Sequence, residues 1–497
     1  MIMGSKPANY STKWKTNFAE RLIQILGKDG VISSPDELIA YECDALTAYS
    51  IKPISVVLPR TTEEISEVIK LCNKEEIPFV PRGAGTGLSG GALPTEEGIV
   101  ISLARMNRIL EVDIENQRVV VEPGVINQLV TNAVSSGGYY YAPDPSSQIV
   151  CTIGGNVAEN SGGVHCLKYG VTTNHVLGVE VVLPDGEIME FGGKTTDRPG
   201  YDLVGLFVGS EGLLGIVTKV VLRIVRRPES VKTVLAAFDK IEDAGGAVSG
   251  ITARGIIPAG MEIMDYFSIK AVNTAIQAGY PDDAGAILLV ELDGPADEIE
   301  AGMPLVIEVL KENNAEEIRV AKDDEERAFF WKGRKSAFAA MGRISPDYYV
   351  QDGVIPRSKL PEVLREINIL SKEYGLRVAN VFHAGDGNLH PLILYNSSKA
   401  GDSEKTRELA GDILKVCVDA GGSITGEHGV GYDKKRFIST MFDENDLDTM
   451  NLIRCSFDPK GLCNPGKLFP TPRTCVEQKG QSDKVHPIQK AGMGEMY

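Results

Sequence analysis

Closely spaced cysteines are missing from this chain. Its eight cysteines are spread from Cys43 to Cys475 without a single C-x-x-C pair. Thiolates that hold a ferredoxin-type cluster need that spacing, so iron–sulfur is not expected here and reduced thiols are. Long apolar runs are missing too. The longest, such as AILLVEL at 286–292, are strand-sized and well short of the roughly 20 residues of a membrane helix. The opening MIMGSKPANYSTKWK has no apolar core of the kind a secretion signal carries, so a cytoplasmic location is expected. Basic residues are in deficit: 51 Lys and Arg against 68 Asp and Glu leave a net charge of −17. That field repels nucleic acid and anionic lipid, and an anionic substrate would need local cationic help. What remains is ordinary globular material, 43% hydrophobic and 24% charged, with enough length for two or three domains.

Strand-like runs dominate from about residue 53 to 228, among them ISVVLP, IPFVP, RVVVEPG and GIVTKVVLRIV. A helix is predicted before them at 17–30, and two more among them at 62–76 and 124–136. Pro228, after Arg226 and Arg227, marks a boundary. Beyond it the rhythm changes to strand–helix–strand units, with helices predicted at 296–313, 358–374 and 404–419. That alternation predicts an α+β domain with an antiparallel sheet. The tail 473–497 is polar and patternless, and disorder is expected there.

The stretch PFVPRGAGTGLSGG, 78–91, sets Gly85, Gly87 and Gly90 at the G-x-G-x-x-G spacing of a nicotinamide-binding loop. Such a loop must open a helix whose N-terminus holds the pyrophosphate. Here Pro94 and Gly98 sit where that helix would run, and the next predicted element is a strand. The nicotinamide reading fails. A glycine-dense loop can still present successive N–H groups to a phosphate without a helix, or simply make tight turns. Two further glycine-rich stretches follow, at 143–171 and 209–220.

In RVANVFHAGDGNLHPLILY, 377–395, two apolar runs flank Asp386–Gly387, a dipeptide favoured in two-residue hairpin turns. Closing the turn there pairs Gly385 with Asn388, Ala384 with Leu389 and His383 with His390. Opposed side chains share a face, with Cβ atoms about 4.5–5.5 Å apart. Two of the chain's six histidines would then stand side by side. They would either ligate a divalent metal, completed by a carboxylate such as Glu427, or bond to water and backbone.

The motifs PRGAGTGLSGG, PDPSSQIVCTIGGNVAENSGG, GSEGLLGIVT, HAGDGNLH, GEHGVG and FDPKGLCNPGKLFP occur in this order. On them, over about residues 20–472, the chain resembles the FAD-linked 2-hydroxyacid oxidoreductases of the vanillyl-alcohol oxidase superfamily. The resemblance implies an α+β protein with an N-terminal helical segment over 1–46 and a PCMH-type FAD-binding domain over 47–228. A substrate or cap domain over 229–472 follows, and its end returns to the cofactor. By the same resemblance Pro81, Arg82, Gly83, Ala84, Gly85, Thr86, Gly87, Leu88, Ser89, Gly90 and Gly91 cradle the FAD pyrophosphate. Pro143, Asp144 and Ser146 lie beside the ring system. Gly154, Gly155, Asn156, Asn160, Ser161 and Gly162 line the channel, and Glu211, Gly215 and Ile216 meet the adenosine end. Relatives that attach FAD covalently carry a histidine in the first loop. None stands there in this chain, so non-covalent FAD is expected, and His165 in the later loop is read as structural.

The resemblance also implies a divalent metal (Zn, Mn or Fe) on His383, His390 and Glu427. His428 then serves as general base, taking the substrate's hydroxyl proton, or merely orients the site. Arg334, in FFWKGRKSAF, matches the arginine that binds the substrate carboxylate, a task suited to a planar fork. Lys332, Lys335 and the run Lys434–Lys435–Arg436 are read as solvated faces. Phe338 and the PLIL after His390 are apolar where relatives acting on diacids are polar, which favours a small monocarboxylate. The implied activity is oxidation of a small 2-hydroxy acid, glycolate and/or D-lactate, to the 2-oxo acid. Hydride goes to the flavin, and electrons go on to a non-nicotinamide acceptor. Companion flavin-like and iron–sulfur subunits are the implied partners, with any membrane association peripheral and through them. The alternatives are a D-2-hydroxyglutarate dehydrogenase, a non-catalytic flavin-binding subunit, and an iron oxygenase on the same triad, which leaves the glycine loops unexplained.

Overall fold

The computed structural model describes residues 11–195 and 200–470, so the predicted tail lies outside the described residues. In the first sheet, Ser55–Val57, Ile99–Ser102 and Phe79–Arg82 run parallel, with Val31–Ile32 antiparallel at one edge. Parallel neighbours need a crossover. The helix Thr62–Glu75 supplies one, begun by Thr61 accepting the Glu64 N–H, with Glu63 and Glu64 favourably placed in its first turn. Its Ile65, Val68, Ile69 and Cys72 are fully buried against Val57, Phe79, Ile99 and Ile101. The N-terminal helix, Thr12–Leu26, starts earlier than expected because Ser11 caps it, and adds Phe18 and Leu22 to the same core.

The strand Phe79–Arg82 delivers the chain into the glycine loop. After Gly91 come turns and then the strand Ile99–Ser102, so no helix opens, as the sequence indicated. The second sheet is antiparallel, in the order Ile109–Asp113, Arg118–Val121, Ile216–Arg223, Val176–Val182, Ile188–Gly192. The short helix Ile153–Glu159 roots Ile153 and Val157 in its core.

The third sheet has nine strands, and every pairing in it is antiparallel. Helices Ile241–Ala253, Ala296–Glu312, Leu360–Tyr374 and Asp402–Asp419 pack on one face. Tyr266–Ile276 and Asp324–Ala340 pack on the other. The strand Ala286–Gly294 opens with five consecutive apolar residues, 286–290, because both of its faces are covered. The chain's last described segment returns to the first sheet. Phe79 N–H bonds Leu462 O, Asn464 N–H bonds Phe79 O, and Leu462 and Cys463 join that core.

Among the described residues no helix is long and apolar enough to cross a membrane. Cys43, Cys72, Cys151, Cys166, Cys417 and Cys463 are free thiols. Cys455 is in a disulfide, a departure from the expectation of reduced thiols throughout.

Candidate active site

A cavity of about 400 Å³ runs from the glycine loop to the histidine hairpin of the third sheet. At one end its wall is Pro81 to Leu88 and Gly91, with Ser146, Gly154, Gly155, Asn156, Ser161, Glu211, Gly215 and Ile216. At the other end stand Lys335, Phe338, Tyr348, Val350, His390, Glu427 and His428. The loop's own backbone forms the wall. Gly85 has φ +73°, and a Cβ at Gly91 would stand 2.6 Å from Glu159 Oε1, so the backbone must stay bare of side chains at these positions. Two atoms of wall residues, Glu159 Oε2 and Asn464 Oδ1, are buried without a hydrogen-bond partner. Volume, bare backbone and unmet polar atoms suit a nucleotide cofactor, and these residues could hold FAD. Burial pushes the Glu159 carboxyl well above the usual range, and the Glu211 charge beside it pushes the same way. Sequence reasoning missed both Glu159 and Asn464.

Six residues expected at the cofactor sit behind this wall, each with a local task. Ser89 donates to Gly429 O and its own carbonyl takes the Tyr432 and Asp433 N–H groups. Pro143 O accepts from Asn127, and Asp144 bonds His165. Asn160, at φ +53°, ends a helix and accepts the Thr173 N–H. A Cβ at Gly90 would press on Tyr432 at 3.0 Å, and one at Gly162 on Glu427 Oε2 at 2.8 Å.

The hairpin closes differently from the sequence expectation. His383 lies opposite Asn388, not His390, so the turn has four residues, 384–387. Gly387 must be glycine, at φ +83° with a Cβ position 2.1 Å from Ile355 O. The register is therefore shifted by two residues, and a shift of two keeps every side chain on its face where a shift of one would not. His383 and His390 still meet, as diagonal neighbours with ring centroids 5.1 Å apart. Glu427 Oε1 lies 3.3 Å from His383 Nε2 and 3.0 Å from His390 Nε2.

These three offer ligand atoms within 4.8 Å of one another, and Glu427 Oε2 is buried with no hydrogen-bond partner. Both outer ring nitrogens are held as metal-bound histidines usually are. His383 Nδ1 is 2.7 Å from Glu262 Oε1, and His390 Nδ1 is 3.4 Å from Gln351 O. Burial opposes charge on His383, but Glu262 and Glu427 outweigh it and raise its pKa well above the ordinary value. The cluster attracts a positive charge at the point where a cation would bind. The donor set fits a divalent metal.

Asp352, absent from the sequence reading, anchors the loop that carries Glu427 and His428. It accepts from Thr425 Oγ1 at 2.6 Å, Gly426 N at 3.0 Å, His428 N at 2.9 Å and Lys434 Nζ at 3.2 Å. With those donors it is already satisfied, although Asp352, His390 and His428 also cluster closely enough to hold an ion. Lys434, expected on a solvated face, is 1% exposed. His428 stacks on His390 at 4.9 Å, and burial drives its imidazole down to about 4 despite the pull of Asp352.

Arg334 lies on the inner face of Asp324–Ala340, 1% exposed, behind the cavity wall. Its Nη2 is ion-paired with Glu262 Oε2 at 2.6 Å, and its buried Nε has no hydrogen-bond partner. Lys335, read as merely solvated, is the cation at the histidine end of the cavity wall. PLIL does not line it: Leu392, Ile393 and Leu394 are core residues, and only Phe338 of that apolar set reaches the wall. His165 bonds Asp144 at 2.8 Å and Glu291 at 3.2 Å, tying the 160–170 loop to the third sheet. The two carboxylates outweigh burial and hold its pKa well above the ordinary value.

Comparison with known proteins agrees with this architecture. Residues 53–192 match the family described as FAD binding domain, and 227–468 match FAD linked oxidases, C-terminal domain. The glycolate oxidase subunit GlcD of Escherichia coli K12 is 50% identical over 447 residues, 90% of each chain. GlcD of Bacillus subtilis is 40% identical, covering 90% of this chain and 96% of its own. A D-lactate dehydrogenase of Anaerostipes hadrus is 33% identical, covering 84% and 90%. In fold, the chain superposes on p-cresol methylhydroxylase with a TM-score of 0.79 at 18% identity, over 93% of this chain and 98% of that one. The chain is an FAD-dependent enzyme and belongs to the FAD-linked 2-hydroxyacid oxidoreductase family.

Proposed function

We propose that this enzyme oxidises a short 2-hydroxy acid, glycolate and/or D-lactate, to the 2-oxo acid and passes the electrons to a partner. The observation that carries this reading is one shared cavity, whose wall joins the glycine loops to His390, Glu427 and His428. FAD, when bound, supplies the acceptor for the α-hydrogen as hydride. His383, His390 and Glu427 would hold a divalent metal, whose chemistry there is to polarise the substrate's oxygens. His428 is neutral near pH 7, with one ring nitrogen free to take the hydroxyl proton as the α-hydrogen leaves. Arg334 is the partner proposed for the carboxylate because its buried donor Nε has no hydrogen-bond partner, and Lys335 adds positive charge at the wall. Phe338 supports a small monocarboxylate, since it offers no second polar contact.

The division proposed is an FAD-binding domain over 47–228 and a substrate domain over 229–472, in keeping with two larger sheets and a two-stranded pairing of Val225–Arg226 with Tyr139–Tyr140 before that boundary, and one sheet after it. A cytoplasmic location and companion electron-transfer subunits complete the reading, and relatives that are named as subunits support the existence of companions. The test is anaerobic bleaching of the bound flavin by glycolate, D-lactate and D-2-hydroxyglutarate. Glycolate or D-lactate should give the highest kcat/KM. The five-carbon diacid ranking first would refute the substrate class, and no bleaching by any of the three would favour a non-catalytic subunit.

A further inference from the structure

Glu262 is a carboxylate inside an apolar strand, Gly260–Asp265, in which every residue is buried. A charge is tolerated there only when paired. Glu262 has two partners, one for each oxygen. Oε1 is 2.7 Å from Nδ1 of His383, which stands directly opposite in the sheet register. Oε2 is 2.6 Å from Arg334 Nη2, brought in by a helix packed on that sheet face. The side chains of Glu262, Arg334 and His383 are 0%, 1% and 3% exposed, and none of the three lines the cavity. They form one continuous layer directly behind its histidine end.

We propose that Glu262 is a positioning residue shared by two subsites, one oxygen orienting the metal ligand His383 and the other holding the carboxylate-binding Arg334. This rests on the metal and carboxylate roles proposed above. A carboxylate on the outer nitrogen of a ligating imidazole fixes its tautomer, turns the inner nitrogen to the metal and raises its basicity. The geometry of His383, with Nδ1 on Glu262 and Nε2 toward Glu427, is that arrangement. The second oxygen fixes where the guanidinium sits through Nη2, and leaves Nε without a hydrogen-bond partner. One side chain thereby sets the spacing between the metal and the carboxylate site.

The test is Zn²⁺ titration of the metal-stripped flavoprotein against a competing chelator, with KM and kcat read on the reloaded enzyme. Glu262→Gln should weaken Zn²⁺ binding by about 10–100-fold and also raise KM, with flavin absorption unchanged. Arg334→Lys, which keeps the charge beside Glu262 but loses the fork, should raise KM by about tenfold or more while Zn²⁺ affinity stays within about twofold. Glu262→Asp keeps the charge but is one methylene short, and should also lower Zn²⁺ affinity, so an unstable Gln variant does not spare the idea. Unchanged Zn²⁺ affinity in both Glu262 variants would overturn this proposal alone. Equal loss of Zn²⁺ and flavin in the Glu262 and Arg334 variants would overturn it as mere folding. A wild-type protein that takes up no Zn²⁺ overturns the metal site, and this proposal with it.

Discussion

Replacing Asp352 by Asn tests how the loop that carries Glu427 and His428 is built. Asp352 is fully buried and takes hydrogen bonds from Thr425, Gly426, His428 and Lys434. Asn keeps one accepting oxygen but places an NH₂ among those donors. It also leaves Lys434, 1% exposed, without its counter-charge. Breaking a buried ion pair by removing one partner costs about 3–5 kcal/mol. Lys434 Nζ keeps Thr425 Oγ1 and Gly429 O, each at 3.2 Å, which places the expected loss near the lower bound, about 3 kcal/mol. Urea unfolding of the flavin-loaded protein, followed by flavin fluorescence and far-UV circular dichroism, measures it. Both probes are needed because a chain of several domains need not unfold in one step. Lys434→Met and the double variant complete the cycle. With neither charge buried, the double variant should be more stable than the two single losses added together, by about 0.5–3 kcal/mol. A loss under about 0.5 kcal/mol in Asp352→Asn, or strict additivity in the double variant, would refute the ion pair as the anchor.

His428→Ala should lower kcat by about 10²–10⁴-fold with flavin content unchanged, and a change confined to KM would remove it from the proton-transfer role. Asp265 is raised to about 6 from 3.8, chiefly by burial, so the folded state binds the extra proton between those values. Stability should then fall as pH rises from about 4 to 6, by up to about 3 kcal/mol from this group. Asp265→Asn, still able to cap the helix at Ser268, should remove that slope, and a urea midpoint difference between variant and wild type that is the same at pH 4 and pH 7 would count against it.

The sequence by itself determined the elements and the faces. Thr61 and the apolar spacing after it specified the crossover helix, Pro94 and Gly98 ruled out a nicotinamide loop, and the hairpin placed two histidines on one face. That last reading survived a register shifted by two residues because side-chain direction repeats every two residues in a strand. The motif order also reported the flavin family, which short-range residue identities carry. What the sequence could not determine was which charges would be buried and with whom. Glu262, Arg334, Asp352, His383 and the loop carrying Glu427 and Lys434 come from five separate stretches, and the third sheet with its covering helices brings them together. Lys434 looks like a solvated basic residue until Asp352 is packed against it. The PLIL after His390 looks like a substrate wall until both faces of its strand are seen to be core. A local pattern fixes a side chain's direction, but the cost of burying a charge depends on partners as far as 82 and 121 residues away, and only the tertiary structure supplies them.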